Sequence, residues 1–152
     1  MLQDATLAYL HFAATFLLLW FLAREWTLLG AGPVALDLRR LAFADAGYGV
    51  AALGVLATGV GRMSFGARPV AFYLGNPLFH VKIGLFVLVG LVSIAPTVRL
   101  LRWRRAAKAD AGFHPTAAEW RRVRRWVMIE LHLIALIPLF AVLMARAIGF
   151  RG

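Results

Sequence analysis

The sequence predicts an all-α integral membrane protein, a bundle of four transmembrane helices with both termini on the periplasmic side. Three observations predict it. First, 62% of the 152 residues are hydrophobic, more apolar surface than a soluble core of this size can hide, so lipid must solvate part of it. Second, four segments reach the ~20 apolar residues that a helix needs to cross a hydrocarbon core of about 30 Å. Third, Lys and Arg gather around one connection instead of spreading along the chain.

The first span runs roughly from Ala5 to Leu29. It lacks a basic leader and is too long for the apolar part of a signal peptide, so it is expected to stay in the mature protein. The Gly30-Ala31-Gly32-Pro33 turn ends it, and Leu36 to Phe43 reads as a short amphipathic piece on the membrane surface. The second span, Ala44 to Arg62, passes into a loop of Gly, Arg and Ser from Gly59 to Gly66. Asn76-Pro77 opens the third, Pro77 to Leu101, because proline in the first turn sacrifices no intrahelical hydrogen bond. Pro96 should kink it. The fourth covers Trp126 to Phe150. No linker divides the chain, so residues 1–152 form one domain.

Orientation follows from the cations. Arg99, Arg102, Arg104, Arg105, Lys108, Arg121, Arg122, Arg124 and Arg125 flank the third connection, and Arg24, Arg39 and Arg40 the first. Both connections are therefore cytoplasmic, and the protein is placed in the bacterial inner membrane. Trp103, Trp120 and Trp126 fall at the same boundary, where indole rings prefer to lie. The formal charge of +10 thus points to a membrane surface and not to nucleic acid. With no cysteine in the chain, disulfides, iron–sulfur clusters and thiolate metal sites are excluded. No dinucleotide fingerprint, Walker loop, HExxH or nucleophile elbow is present.

Ionisable groups inside a span are costly and mark candidate sites. His11 shares a helical face with Thr15, Leu18, Leu22 and Glu25, which should point into the bundle. His80, early in the third span, lies at a similar depth. Two imidazoles at matching depth on different helices can supply both axial ligands of a haem b iron; bonding to a neighbouring helix or to loop backbone is the simpler role for each. Lys82 is about 200° around the helix from His80, so one of the two looks elsewhere. Lys82, Arg62 and Arg68 either anchor the protein to the interface or balance haem propionates. The heptad stripe Gly47, Gly54, Gly61 admits close approach by a helix or by a flat macrocycle. At the other rim Glu25, Glu130 and His132 form an inner polar cluster, which Arg24, Asp45 and Arg125 could join as structural glue or which a quinone or proton pathway could use. His132 is more than about 10 Å too deep to share an iron with His11. His114 is read as solvated.

With these residues assembled, the chain resembles a family of small four-helix membrane proteins of unknown function. The likeness is carried by Tyr9-Leu10-His11, Arg24-Glu25, Asp45 with Tyr48-Gly49, Thr58-Gly59 with Arg62, the run from Tyr73 through Asn76-Pro77 and Phe79 to Lys82, Ser93 with Pro96-Thr97, and Glu130 with Pro138. More distantly, the layout is similar to HemJ-type protoporphyrinogen oxidases and to the CopD group. His11 matches the first-helix His of the HemJ pattern, and Phe79-His80-Val81-Lys82 its His-x-Lys segment; Arg125 to Glu130 resembles its Arg-x-x-Asn-Glu segment, broken by Ile129 before the Glu. The resemblance implies haem b and electron transfer toward quinone. The leading expectation is accordingly a haem-b-binding redox protein with His11 and His80 as axial ligands. The rival is a cofactor-free subunit packed against a larger membrane complex; copper handling ranks last, since two His with Met63 or Met144 make a sparse ligand set.

Overall fold

The computed structural model describes residues 2–146 and 148. Helix α1 spans Leu2–Leu29, α2 Leu38–Phe65, the short α3 Val70–Leu74, α4 Pro77–Ala109 and α5 Ala117–Ala145. The long helices α1, α2, α4 and α5 are each long and apolar enough to cross a membrane. α1 packs along α2 and α4 along α5, and the two hairpins close into a bundle through α1 against α5 and α2 against α4. The fold is all-helical, as expected, with no strand among the described residues.

All four spans are found, but their ends are corrected. The segment from Leu36 to Phe43 is no separate surface piece: Asp37 caps the first turn of α2, its carboxylate accepting from the backbone N–H groups of Arg39 (3.1 Å) and Arg40 (2.9 Å). Cap and helix are continuous from there. The glycine-rich stretch beginning at Gly59 is also helical, and only Gly66 breaks away as the C-cap. In lipid every backbone group needs an internal partner, so glycine does not end a spanning helix as it would in water. α4 runs past Leu101 to Ala109, about 50 Å at 1.5 Å per residue, well beyond the hydrocarbon thickness. α5 begins nine residues earlier than expected, at Ala117, behind a capping box in which Thr116 and Glu119 exchange hydrogen bonds. The basic residues attributed to the third connection therefore sit on helical extensions of α4 and α5, and the connection itself is only residues 110–116. The expected end of the last span at Phe150 lies outside the described residues.

The expected Asn76 cap and the Gly30–Pro33 turn hold. Asn76 is fully buried, and its side chain accepts from Leu78 N–H (2.9 Å) to cap α4 while its amide donates to the Ile148 carbonyl (3.3 Å), tying the start of α4 to Ile148 beyond the end of α5. Gly32 takes φ +86° in the α1–α2 turn, the left-handed region that favours glycine. At the basic end the Trp120 indole donates to the Leu29 carbonyl (2.9 Å), and the Arg124 guanidinium lies over the Trp26 and Trp120 rings at 4.6 and 5.4 Å. Trp103, expected at the interface, is instead buried among the extensions.

The glycine stripe of α2 is filled by α1. A Cβ at Gly61 would come within 3.2 Å of Leu7, one at Gly54 within 3.5 Å of Ala14, and one at Gly47 would overlap the Phe21 ring. Successive heptads of α1 thus occupy the positions that glycine opens, and the two backbones approach closely. Outside the bundle, Phe12, Phe16, Leu53, Val60, Val87, Leu91, Leu139 and Val142 are all exposed. This band has the character of a lipid-facing surface.

Candidate functional site

The ionisable residues within the spans fall into two layers, one toward each end of the bundle. The layer nearer Asn76 is built from α1, α2 and α4. His11 is half-buried, and its Nδ1 lies 3.0 Å from the Thr58 hydroxyl. That hydroxyl has one hydrogen and two carbonyl acceptors, Gly54 at 2.6 Å and Val55 at 3.2 Å. Its hydrogen is committed there, so toward the imidazole it accepts. The proton of His11 is thereby assigned to Nδ1, and Nε2 keeps its lone pair. Arg62 and Lys82 are the charges that act on the ring, and they act on each other. No carboxylate among the described residues pairs with either one, and the buried Arg62 Nε has no hydrogen-bond partner. A basic group in that state favours an anion.

α4 resolves which of its faces turns inward. Phe79 and Val89 are buried and Lys82 is half-buried, whereas His80 and Leu91 are exposed. His80 Nε2 donates to the Leu74 carbonyl at 3.0 Å; a carbonyl only accepts, so Nε2 carries the hydrogen. The structure therefore brings Lys82, not His80, to His11. The two imidazoles share an end of the bundle without facing each other. Arg68 lies after α2, its guanidinium 4.5 Å over the Phe72 ring.

The second layer draws on all four long helices. Glu25 from α1 and Glu130 from α5 are 2% and 1% exposed. Glu25 interacts with Asp45 of α2 and with Glu130, and Tyr48 of α2 is directed at Glu130. The Thr97 hydroxyl of α4 donates to Asp45 Oδ1 at 2.6 Å. Glu25 Oε1 and Glu130 Oε1 have no hydrogen-bond partner among the described residues. The ion pairs among the described residues are Arg40–Asp37 and Arg99–Glu119, so the expected pairing of Arg24 and Arg125 with these acids is corrected. Arg24 lies 5.6 Å over the Trp20 ring and Arg125 is exposed. His132 does not join the layer either; its ring is exposed and Nδ1 donates to the Met128 carbonyl at 2.7 Å. Among the described residues no three His, Asp or Glu side chains are arranged to hold a metal ion.

Sequence reasoning missed Tyr48 and Thr97 as members of this layer. The signal was present: Tyr48 follows Asp45 by three residues and so shares its helical face. Thr97 is expected to matter for stability. Removing its hydroxyl leaves the half-buried Asp45 carboxyl short of a donor, so Thr97→Val should lower stability by about 1–2 kcal/mol while Thr97→Ser stays near wild type. Thermal unfolding of the detergent-purified protein measures both.

Between the layers lies an apolar belt of Leu18, Leu22, Ala51, Val89 and Ile134, all buried. Four spanning helices, an apolar exterior and charged side chains turned inward define a multi-pass membrane protein. The chain belongs to the family described as predicted membrane protein (DUF2214), whose profile matches residues 3–149. No curated protein and no solved structure matches it.

Proposed function

We propose that this membrane protein is a redox carrier that holds haem b through His11. The observation that carries the reading is the His11 environment: an imidazole whose Nδ1–H is held by Thr58, whose Nε2 makes no hydrogen bond to a described residue, and which lies beside two cations without carboxylate partners among the described residues. Orientation of a ligating imidazole through its other nitrogen is the usual arrangement in metal sites.

The donor set fits a haem held through one imidazole of this chain and does not fit the His11–His80 pair, because His80 faces outward. It also does not fit a macrocycle laid in the Gly47–Gly54–Gly61 groove, since α1 fills that groove. His11 would hold the iron, Thr58 would fix the ring, and Arg62 and Lys82 would neutralise carboxylates at the same level. Bound haem supplies one-electron chemistry. The resemblance to the HemJ pattern points the same way, with Lys82 the member of the His-x-Lys segment turned toward His11. The basic ends of α4 and α5 then lie in the cytoplasm and the Asn76 end on the periplasmic side of a bacterial inner membrane, as loop cations favour.

An absorption spectrum of protein expressed with haem supply, before and after dithionite, tests the reading. A Soret band that shifts on reduction is expected. A colourless preparation overturns it and leaves a cofactor-free subunit of a larger complex.

A further inference from the structure

At the basic end, α4 and α5 line an open groove of about 340 Å³. Its apolar part is made by Ile94, Val98 and Trp126, which are 56%, 39% and 36% exposed. Its rim is made by Arg99, Arg102 and Arg122. The one acid there, Glu119, is occupied: Arg99 donates to it at 3.3 Å, and it also closes the capping box with Thr116. Arg102 and Arg122 have no carboxylate partner among the described residues. The apolar half is continuous with the lipid-facing band, and the cationic half lies where both helices leave their apolar spans.

We propose that this groove binds one anionic phospholipid, its phosphate between Arg102 and Arg122 and an acyl chain over Ile94, Val98 and Trp126. The pairing of the two halves selects the occupant. A soluble anion satisfies only the guanidinium rim, and a zwitterionic lipid brings a cation to a site that already holds uncompensated positive charge. A diester phosphate at headgroup depth satisfies both halves, with the charge-assisted hydrogen bonds that arginine makes best. Basic pockets between spanning helices are sites of this kind in general. The site is independent of the haem reading, since it lies on the opposite layer and on the outside of the bundle.

The test is native mass spectrometry of the full-length protein in detergent, titrated with phosphatidylglycerol or phosphatidylcholine of the same acyl composition. One phosphatidylglycerol should be retained, with about tenfold preference over phosphatidylcholine. Arg102→Gln with Arg122→Gln should abolish that preference, whereas Arg104→Gln with Arg105→Gln, exposed positions outside the groove, should keep it. Val98→Trp, which fills the apolar half and touches no charge, should lose the lipid too. Equal retention of the two lipids overturns the proposal, as does an equal loss in the Arg104/Arg105 control. So does displacement of the lipid by excess inorganic phosphate, or a dimer that the Arg102/Arg122 variant abolishes, which would make a second copy the occupant.

Discussion

His11→Ala is expected to purify without pigment, while His80→Ala retains it at the wild-type ratio of haem to protein in a pyridine haemochrome assay. The contrast follows from geometry. The His11 ring is turned into the bundle with Nδ1 on Thr58 and no hydrogen bond from Nε2 among the described residues, but His80 is exposed and its Nε2–H is committed to the Leu74 carbonyl. Thr58 should act through the imidazole. Its hydroxyl accepts from Nδ1–H while donating to Gly54, so Thr58→Val removes the acceptor and should weaken haem retention by about tenfold, the lower end of what outer-shell partners contribute. Serine can reproduce both bonds, and Thr58→Ser should restore retention. Equal loss of pigment in His11→Ala and His80→Ala would sink the single-imidazole site.

The second large effect concerns the seam between α1 and α2. Gly47→Leu should destabilise the protein by about 1–3 kcal/mol, the usual cost of overpacking a closed contact. A Cβ at Gly47 already overlaps the Phe21 ring, which itself packs edge-on against Trp20 and Phe43. Relief therefore has to come from Phe21. Combining Gly47→Leu with Phe21→Ala should recover most of the lost thermal stability, because the two side chains compete for one space and their effects cannot add. Gly49→Leu is the control: a Cβ there meets nothing within 4 Å, and its melting temperature should stay near that of wild type. A Gly47→Leu protein as stable as wild type would mean that the helices do not meet along this stripe.

Much of this architecture was legible in the sequence, and the failures share a physical origin. Hydropathy marks where a helix is in hydrocarbon, not where it ends. Arg, Ala and Lys are good helix formers, so α4 and α5 continue into water without any apolar signal, although Thr116 followed by Glu119 was a readable start for α5. The Gly59 to Gly66 stretch misled for the converse reason: turn residues in water are tolerated helix residues in lipid. At the candidate site, depth was legible and azimuth was not. His11 and His80 were placed at one end by counting residues, yet only the burial of Phe79 and Val89 shows that the Lys82 face is the inward one. For His132 the arithmetic was sufficient. It lies two residues from buried Glu130, about 200° around the helix, and could not share that face.

The apolar belt gives the bundle the construction of a capacitor. His11, Arg62 and Lys82 form one plate, Glu25, Asp45 and Glu130 the other, and Leu18, Leu22, Ala51, Val89 and Ile134 are the insulator between them. Fourteen residues of α1 separate His11 from Glu25, a gap of about 20 Å. Across it a unit of charge added to one plate shifts the energy of a charge on the other by roughly 1 kcal/mol at an effective dielectric constant near 20. Any charge gained at one plate would thus be registered at the other with no side chain moving.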